Sequence, residues 1–263
     1  MTTVKDVLAY IETLAPGYMK ESWDNVGLLC GDPNCPVHKI LVALDPFESV
    51  CYEAHDLEAD LIVTHHPLIF QPLKSITTQT AVGRSILFLC EKGISAINAH
   101  TNLDCAPGGV NDTLASRLGL QEVAVVEPGG VDANGESWGL LRTGIWDGTL
   151  ADFLTHVKQA LGAPALRYCD GGKPVHQVAV GGGACAGELM AAWRAGCDTF
   201  VTADVRYNQF WDAADLGMNL IDAGHFYTEN PVCAVLAEKL RAAFPEIQVI
   251  ESEKHGDCMK FFL

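Results

Sequence analysis

The stretch LIVTHHPLIF places His65 beside His66 at the end of a run that reads as a buried strand. Two further segments carry groups of the same chemical kind. NAHTNLD offers His100 and Asp104, and LIDAGHFYTEN offers His225 with Glu229 four residues on. Imidazole is a good donor to divalent zinc, iron, manganese or nickel, and a carboxylate can span two cations while offsetting their repulsion. Successive side chains on a straight strand diverge, so His65 and His66 are expected to serve two ions rather than one. The residues point to a dinuclear centre with His65, His66, Asp104, His225 and Glu229 as ligands, Asp104 or Glu229 bridging, and at least one position left to water. Such a pair of cations makes water a better nucleophile and polarises an electrophile, which is the chemistry of metal-assisted hydrolysis. His100 is read as support for a ligand or for the loop. No residue is assigned as a catalytic acid or base, and the four candidate metals are not distinguished.

The elements that must position these groups follow from the apolar periodicity. Val4, Val7, Leu8, Ile11 and Leu14 fall on one helical face before Pro16 and Gly17 stop it. HKILVALDP, ESVCYEAHDLEA and DLIVTHH then read as strand, helix and strand, and DLIVTHH is too continuously apolar to have a wet face. The alternation continues through AVGRSILFLCEKG, ISAINAH and GGVNDTLASRLG. Parallel strands covered by helices are the expected result. VEPGGVDANGESWG interrupts the rhythm with turn formers, and strand–helix alternation resumes from LLRTGIW to IQVIES. The expected fold is α/β, with two lobes of largely parallel βαβ units and a metal cleft between them. One lobe is assigned residues 1–124 with 222–263, and the other residues 125–221. His65, His66, His100 and His225 all stand at strand exits, where open α/β sheets collect their ligands.

The whole chain narrows the classes. Its 263 residues suffice for a sizeable core, and 49% apolar with 19% charged residues fits a compact protein. The 33 acidic against 17 basic residues give a formal charge of −16, which argues against a phosphate-backbone partner and so against a DNA-binding adaptor. No run of 18 apolar residues predicts a membrane span, and MTTVKDVLAY lacks the apolar core of a secretory signal, so a cytoplasmic location is expected. The ten scattered cysteines read as reduced thiols. VAVGGGACAGEL lacks a nucleotide fingerprint and reads as close sheet packing. CGDPNC reads as a turn, Trp23 as a packing residue, and Asp24 with Asn25 as turn organisers.

SWDNVGLLCGD at 22–32, THHPLIF at 64–70, HTNLDCAPGGVND at 100–112 and IDAGHFYTE at 221–229 together resemble the family of dinuclear metal centre proteins labelled type 2 GTP cyclohydrolase 1 homologues. The four stretches occur in the family's order. The resemblance implies two divalent ions per subunit on His65, His66, Asp104, His225 and Glu229, in a two-lobed protein that self-associates as a homohexamer. It implies a nucleotide or other small-molecule substrate. With GTP, attack at carbon eight would open the imidazole ring and release formate. The chain departs from the family where Ala203 replaces a frequent glycine and Asn208 a frequent histidine, and an amide cannot titrate as imidazole does. Metal-dependent hydrolysis is therefore the leading expectation, and a non-catalytic metal-binding, metal-trafficking or regulatory scaffold is the alternative.

Overall fold

The computed structural model describes residues 1–262. In chain order the first elements are α1 (Val4–Leu14), β1 (Gly27–Cys30), β2 (Lys39–Ala43), α2 (Glu48–Asp56), β3 (Leu61–Thr64), α3 (Ala81–Lys92) and β4 (Ser95–Asn98). Then come α4 (Thr101–Cys105), α5 (Val110–Arg117), β5 (Gln121–Val126), β6 (Gly130–Val131), β7 (Ser137–Trp138), β8 (Leu141–Gly148), α6 (Leu150–Leu161), β9 (Arg167–Cys169) and β10 (Val175–Val180). The chain continues through α7 (Leu189–Arg194), β11 (Thr199–Thr202), α8 (Tyr207–Asp215), β12 (Asn219–Asp222), α9 (His225–Glu229), α10 (Pro231–Ala243) and β13 (Gln248–Glu251). They form two compact units, Met1–Leu103 with Cys233–Asp257, and Asp104–Val232 with a short tail from Cys258. None of the described helices is long and apolar enough to cross a membrane.

The first unit is built on a five-stranded sheet of order β1-β4-β3-β2-β13. β13, β2, β3 and β4 run parallel, as the continuous apolar runs predict, and every residue of β3 and β4 is buried. β1 joins the edge antiparallel to β4. α2 and α3 cover one face, where Val50, Cys51, Ala54, Ile86 and Leu89 pack on Leu41, Ala43, Ile62 and Ala96. α3 is framed by its caps: Thr80 Oγ1 accepts from Gly83 N, and Gly93 takes the left-handed conformation that ends the helix.

The second unit has a six-stranded sheet of order β5-β8-β10-β11-β12-β9. β10, β11 and β12 are parallel, while β8, β5 and β9 pair antiparallel. The sheet is thus more mixed than a run of βαβ units. The Gly- and Asp-rich stretch folds as the β6–β7 hairpin inside this unit, its turn closed by Asp132, whose Oδ1 accepts the amides of Asn134 and Glu136. One core layer joins Leu114, Leu118, Phe153 and Val157 to Val178, Val180, Val201 and Ile221.

Candidate metal centre

In each unit, parallel strands present candidate site residues just beyond their carboxyl ends. In the first unit β2 leads to Asp45, β3 to His65 and His66, and β4 to His100. The chain breaks strand alternation at once after Thr64: Thr64 Oγ1 donates to His66 O, and His66 N donates to Leu44 O. The two imidazoles therefore lie near one another, with centroids 4.9 Å apart and planes 45° apart. His100 joins them, 5.2 Å from the His65 ring and 5.6 Å from the His66 ring. One ligand atom from each of His65, His66 and His100 lies within 4.8 Å of the others, so the three can hold a metal ion.

The structure places His100 in this triad, whereas the sequence reading assigned it only support. Its own support is Asp24, which sits in the loop before β1. Asp24 accepts from His100 Nδ1 at 2.8 Å, from Thr101 N at 3.0 Å, from Thr101 Oγ1 at 2.5 Å and from Asn25 N at 2.8 Å. Burial alone would push this carboxyl up, but the hydrogen bonds from His100 and Thr101 outweigh it and hold it well below the usual carboxylate range. Trp23, read as a packing residue, is 58% exposed and stands edge-on to Phe70 and His100, with centroids at 5.8 and 6.3 Å.

In the second unit β12 leads to His225, β11 to Asp204 and β10 to the Gly181–Gly183 loop. His225 and Glu229 span the short helix α9, so the four-residue spacing becomes a shared face, with His225 Nε2 and Glu229 Oε2 2.9 Å apart. Asp104 on α4 and Glu229 are both buried and offer oxygens within 4.8 Å of each other. Gly183 (φ +61°) explains the glycine run. A methyl group there would overlap Glu229 Oε1 and come 3.1 Å from His225 Nε2. The amides of Gly182 and Gly183 donate to Asn111 Oδ1 and Thr228 Oγ1, so the loop is a packing device and not a phosphate cradle. Cys185 follows it; burial, then the nearby Asp104 and Glu229 carboxylates, push its thiol up, and it stays neutral.

One rule holds for all four imidazoles. His65 Nδ1 lies 2.9 Å from Ala99 O, His66 Nδ1 2.7 Å from Asp45 Oδ1, His100 Nδ1 2.8 Å from Asp24 Oδ1, and His225 Nδ1 2.8 Å from Asp204 Oδ2. Each partner can only accept, so Nδ1 is the donor in each ring; His225 Nε2 also faces Glu229 Oε2, while in His65, His66 and His100 Nε2 is left with its lone pair. That is the state a metal ligand requires. Asp45 and Asp204 escaped sequence reasoning; their one signal is position, each following a strand next to a ligand-bearing strand. Asn208 lies exposed in the first turn of α8. Imidazole lone pairs, buried carboxylates and a glycine that leaves room for them fit a divalent transition-metal ion.

The model of the family described as Duf34/NIF3 (NGG1p interacting factor 3) matches residues 2–257. The chain is 35% identical over 260 residues to a Clostridium perfringens protein named GTP cyclohydrolase 1 type 2 homolog, covering 98% of this chain and 99% of that one. It is 33% identical to the Clostridium acetobutylicum protein of the same name, with 98% of each covered. Among solved structures, a Bacillus cereus protein related to NIF3 superposes with a TM-score of 0.93 at 27% identity, over 100% of this chain and 99% of the other.

Proposed function

The chain belongs to the Duf34/NIF3 (NGG1p interacting factor 3) family, and from that premise we propose that it is a dinuclear-metal hydrolase. In this reading His65, His66, Asp104, His225 and Glu229 ligate two divalent transition-metal ions per chain. The substrate is a nucleotide or another small molecule, and the protein works in the cytoplasm as a closed homohexamer. The observation that supports metal ligation most directly is the shared contact of the imidazoles, each with Nδ1 committed to an acceptor.

Bound metal would supply Lewis acidity and a water of lowered pKa. The chain's own residues supply the rest. Asp45, Asp204 and Ala99 O fix the ring orientations, so little reorganisation accompanies binding. His100, anchored by Asp24, is the group in the triad outside the five proposed ligands, and its Nε2 is where a proton is taken and returned. Trp23 and Phe70 stand edge-on to that ring and pack beside it.

GTP is the first substrate to try, since relatives carry its name. The chain is acidic overall, which disfavours a polyanion away from the metal. Metal analysis of reconstituted protein should give two ions per chain. His66→Ala and Glu229→Ala should each reduce both occupancy and turnover by at least tenfold, whereas His100→Gln should keep occupancy and lose turnover. Mass spectrometry should follow formate and the opened purine separately from phosphate. Saturation at one ion overturns the dinuclear reading. Two ions with no conversion of GTP, other nucleotides or phosphorylated small molecules would favour the non-catalytic metal-binding, trafficking or regulatory scaffold, an outcome compatible with the exposed Asn208 where relatives of the resembling family often carry histidine.

A further inference from the structure

Cys30 and Cys90 lie 60 residues apart in sequence, yet their sulfurs are 3.6 Å apart. Cys30 ends β1 and is 8% exposed; Cys90 sits near the end of α3 and is exposed. Neither is in a disulfide. We propose that Cys30 and Cys90 form a modification site that closes to a reversible disulfide when the protein meets a peroxide, with Cys90 as the sulfur that reacts first and Cys30 as the one that resolves it.

The backbone fixes one partner and leaves the other room to move. The β1–β4 register shifts between Leu28 and Cys30, and that bulge turns Cys30 toward the helix layer. The next residue, Gly31, has φ +108°, and a methyl group there would overlap Ser95, so the strand end is packed hard onto β4. Cys90 is at the solvent side of α3, one turn from the helix end at Gly93. Closing the gap to the bond length of about 2.05 Å therefore falls to the Cys90 side chain and the last turn of α3.

Accessibility and acidity divide the roles. Burial, and then the adjacent Cys90 sulfur, push the Cys30 thiol up to about 12, so Cys30 is held as S–H and does not meet an oxidant directly. The Cys90 thiolate attacks one peroxide oxygen and breaks the O–O bond. The leaving hydroxide takes a proton and departs as water, and Cys90 becomes a sulfenic acid. The Cys30 sulfur then attacks the Cys90 sulfur, the S–OH bond breaks, and hydroxide leaves with the Cys30 proton as a second water. Two thiols are oxidised to one disulfide, and one peroxide is reduced to two waters. The closed ring would contain β2, β3 and the His65–His66 segment, so the bond staples the part of the first unit that presents those two histidines.

The test treats full-length protein with hydrogen peroxide near stoichiometry, alkylates the remaining thiols, and maps the peptides by mass spectrometry. The expected result is a peptide joining Cys30 to Cys90, lost on treatment with dithiothreitol, and a melting temperature about 5 °C higher in the oxidised form. Dimedone added with the peroxide should label Cys90 and lower the cross-link yield in proportion. Cys30→Ala should make Cys90 sulfenic acid accumulate. Oxidation of wild-type Cys90 to sulfinic acid without the joined peptide would overturn the proposal, as would disulfides forming at other pairs first. The dimedone competition uses wild-type protein and decides the matter even if Cys30→Ala does not fold.

Discussion

A single hydrogen bond at the far nitrogen decides what each histidine of the centre can do. With Nδ1 held by a carboxylate or carbonyl, the ring turns Nε2 outward and cannot swivel. Asp24 shows the cost of removing such a partner, since it also holds the first amide and hydroxyl of α4. Asp24→Asn should destabilise the protein by roughly 2–4 kcal/mol at pH 7, because a charge-assisted acceptor with several donors is replaced by an amide that accepts less and must donate. The Asp24 carboxyl is depressed in the fold, so its contribution is present above the unfolded value near 3.9 and fades as pH falls toward the folded one. Urea titrations should therefore show wild type and Asp24→Asn converging below pH 4; a gap that widened there would contradict the assignment. The candidate ligands stand out in the sequence because they come shortly after apolar runs. Asp45 and Asp204 do not. A lone acid after a strand has no pattern of its own, and its role appears only when neighbouring strands are set side by side.

At the scale of elements, apolar runs announced β2, β3, β4, β11 and β12, whose buried faces leave a continuous signal. Helix α6 was equally clear: Thr149 caps its start, Gly162 its end, and Phe153 and Val157 lie on one buried face. Phe153 has no exposed surface and its ring sits 4.7 Å from Trp146. Phe153→Ala should cost about 3–5 kcal/mol through lost burial and an unfilled cavity, read as a lower midpoint in chemical denaturation. Strand direction was less legible. β5 is mostly exposed, β9 has three residues, and periodicity of two says nothing about whether a partner runs parallel or antiparallel. The rhythm therefore suggested more βαβ units than the second sheet contains. The short helices α4 and α9 leave little trace in the sequence, since five residues carry too little periodicity to separate a helical turn from a loop.

Over the whole molecule, a net charge of −16 and buried acids such as Asp104 and Glu229 mean that bound cations would relieve repulsion as well as serve chemistry. In the proposed homohexamer, light scattering with and without a chelator separates assembly from metal binding. Chelation is expected to lower the melting temperature, by the equivalent of about 3 kcal/mol at a metal concentration a hundred times Kd, while the hexamer persists. A monomer across a broad concentration range would overturn the assembly. Exposed Trp193, Tyr207 and Trp211 on α7 and α8 are candidates for the buried contact. The chain path has a different consequence for synthesis. β13 pairs with β2, yet a ribosome makes it about 200 residues later, a wait of roughly 10–40 s at elongation rates of about 5–20 residues per second. Throughout that interval the nascent chain holds β2 as an open edge whose ILVA run is apolar and unpaired on one side. The last strand to emerge is thus the one that closes the first sheet, so a chain cut short after the second unit carries every proposed ligand and yet keeps a sticky edge.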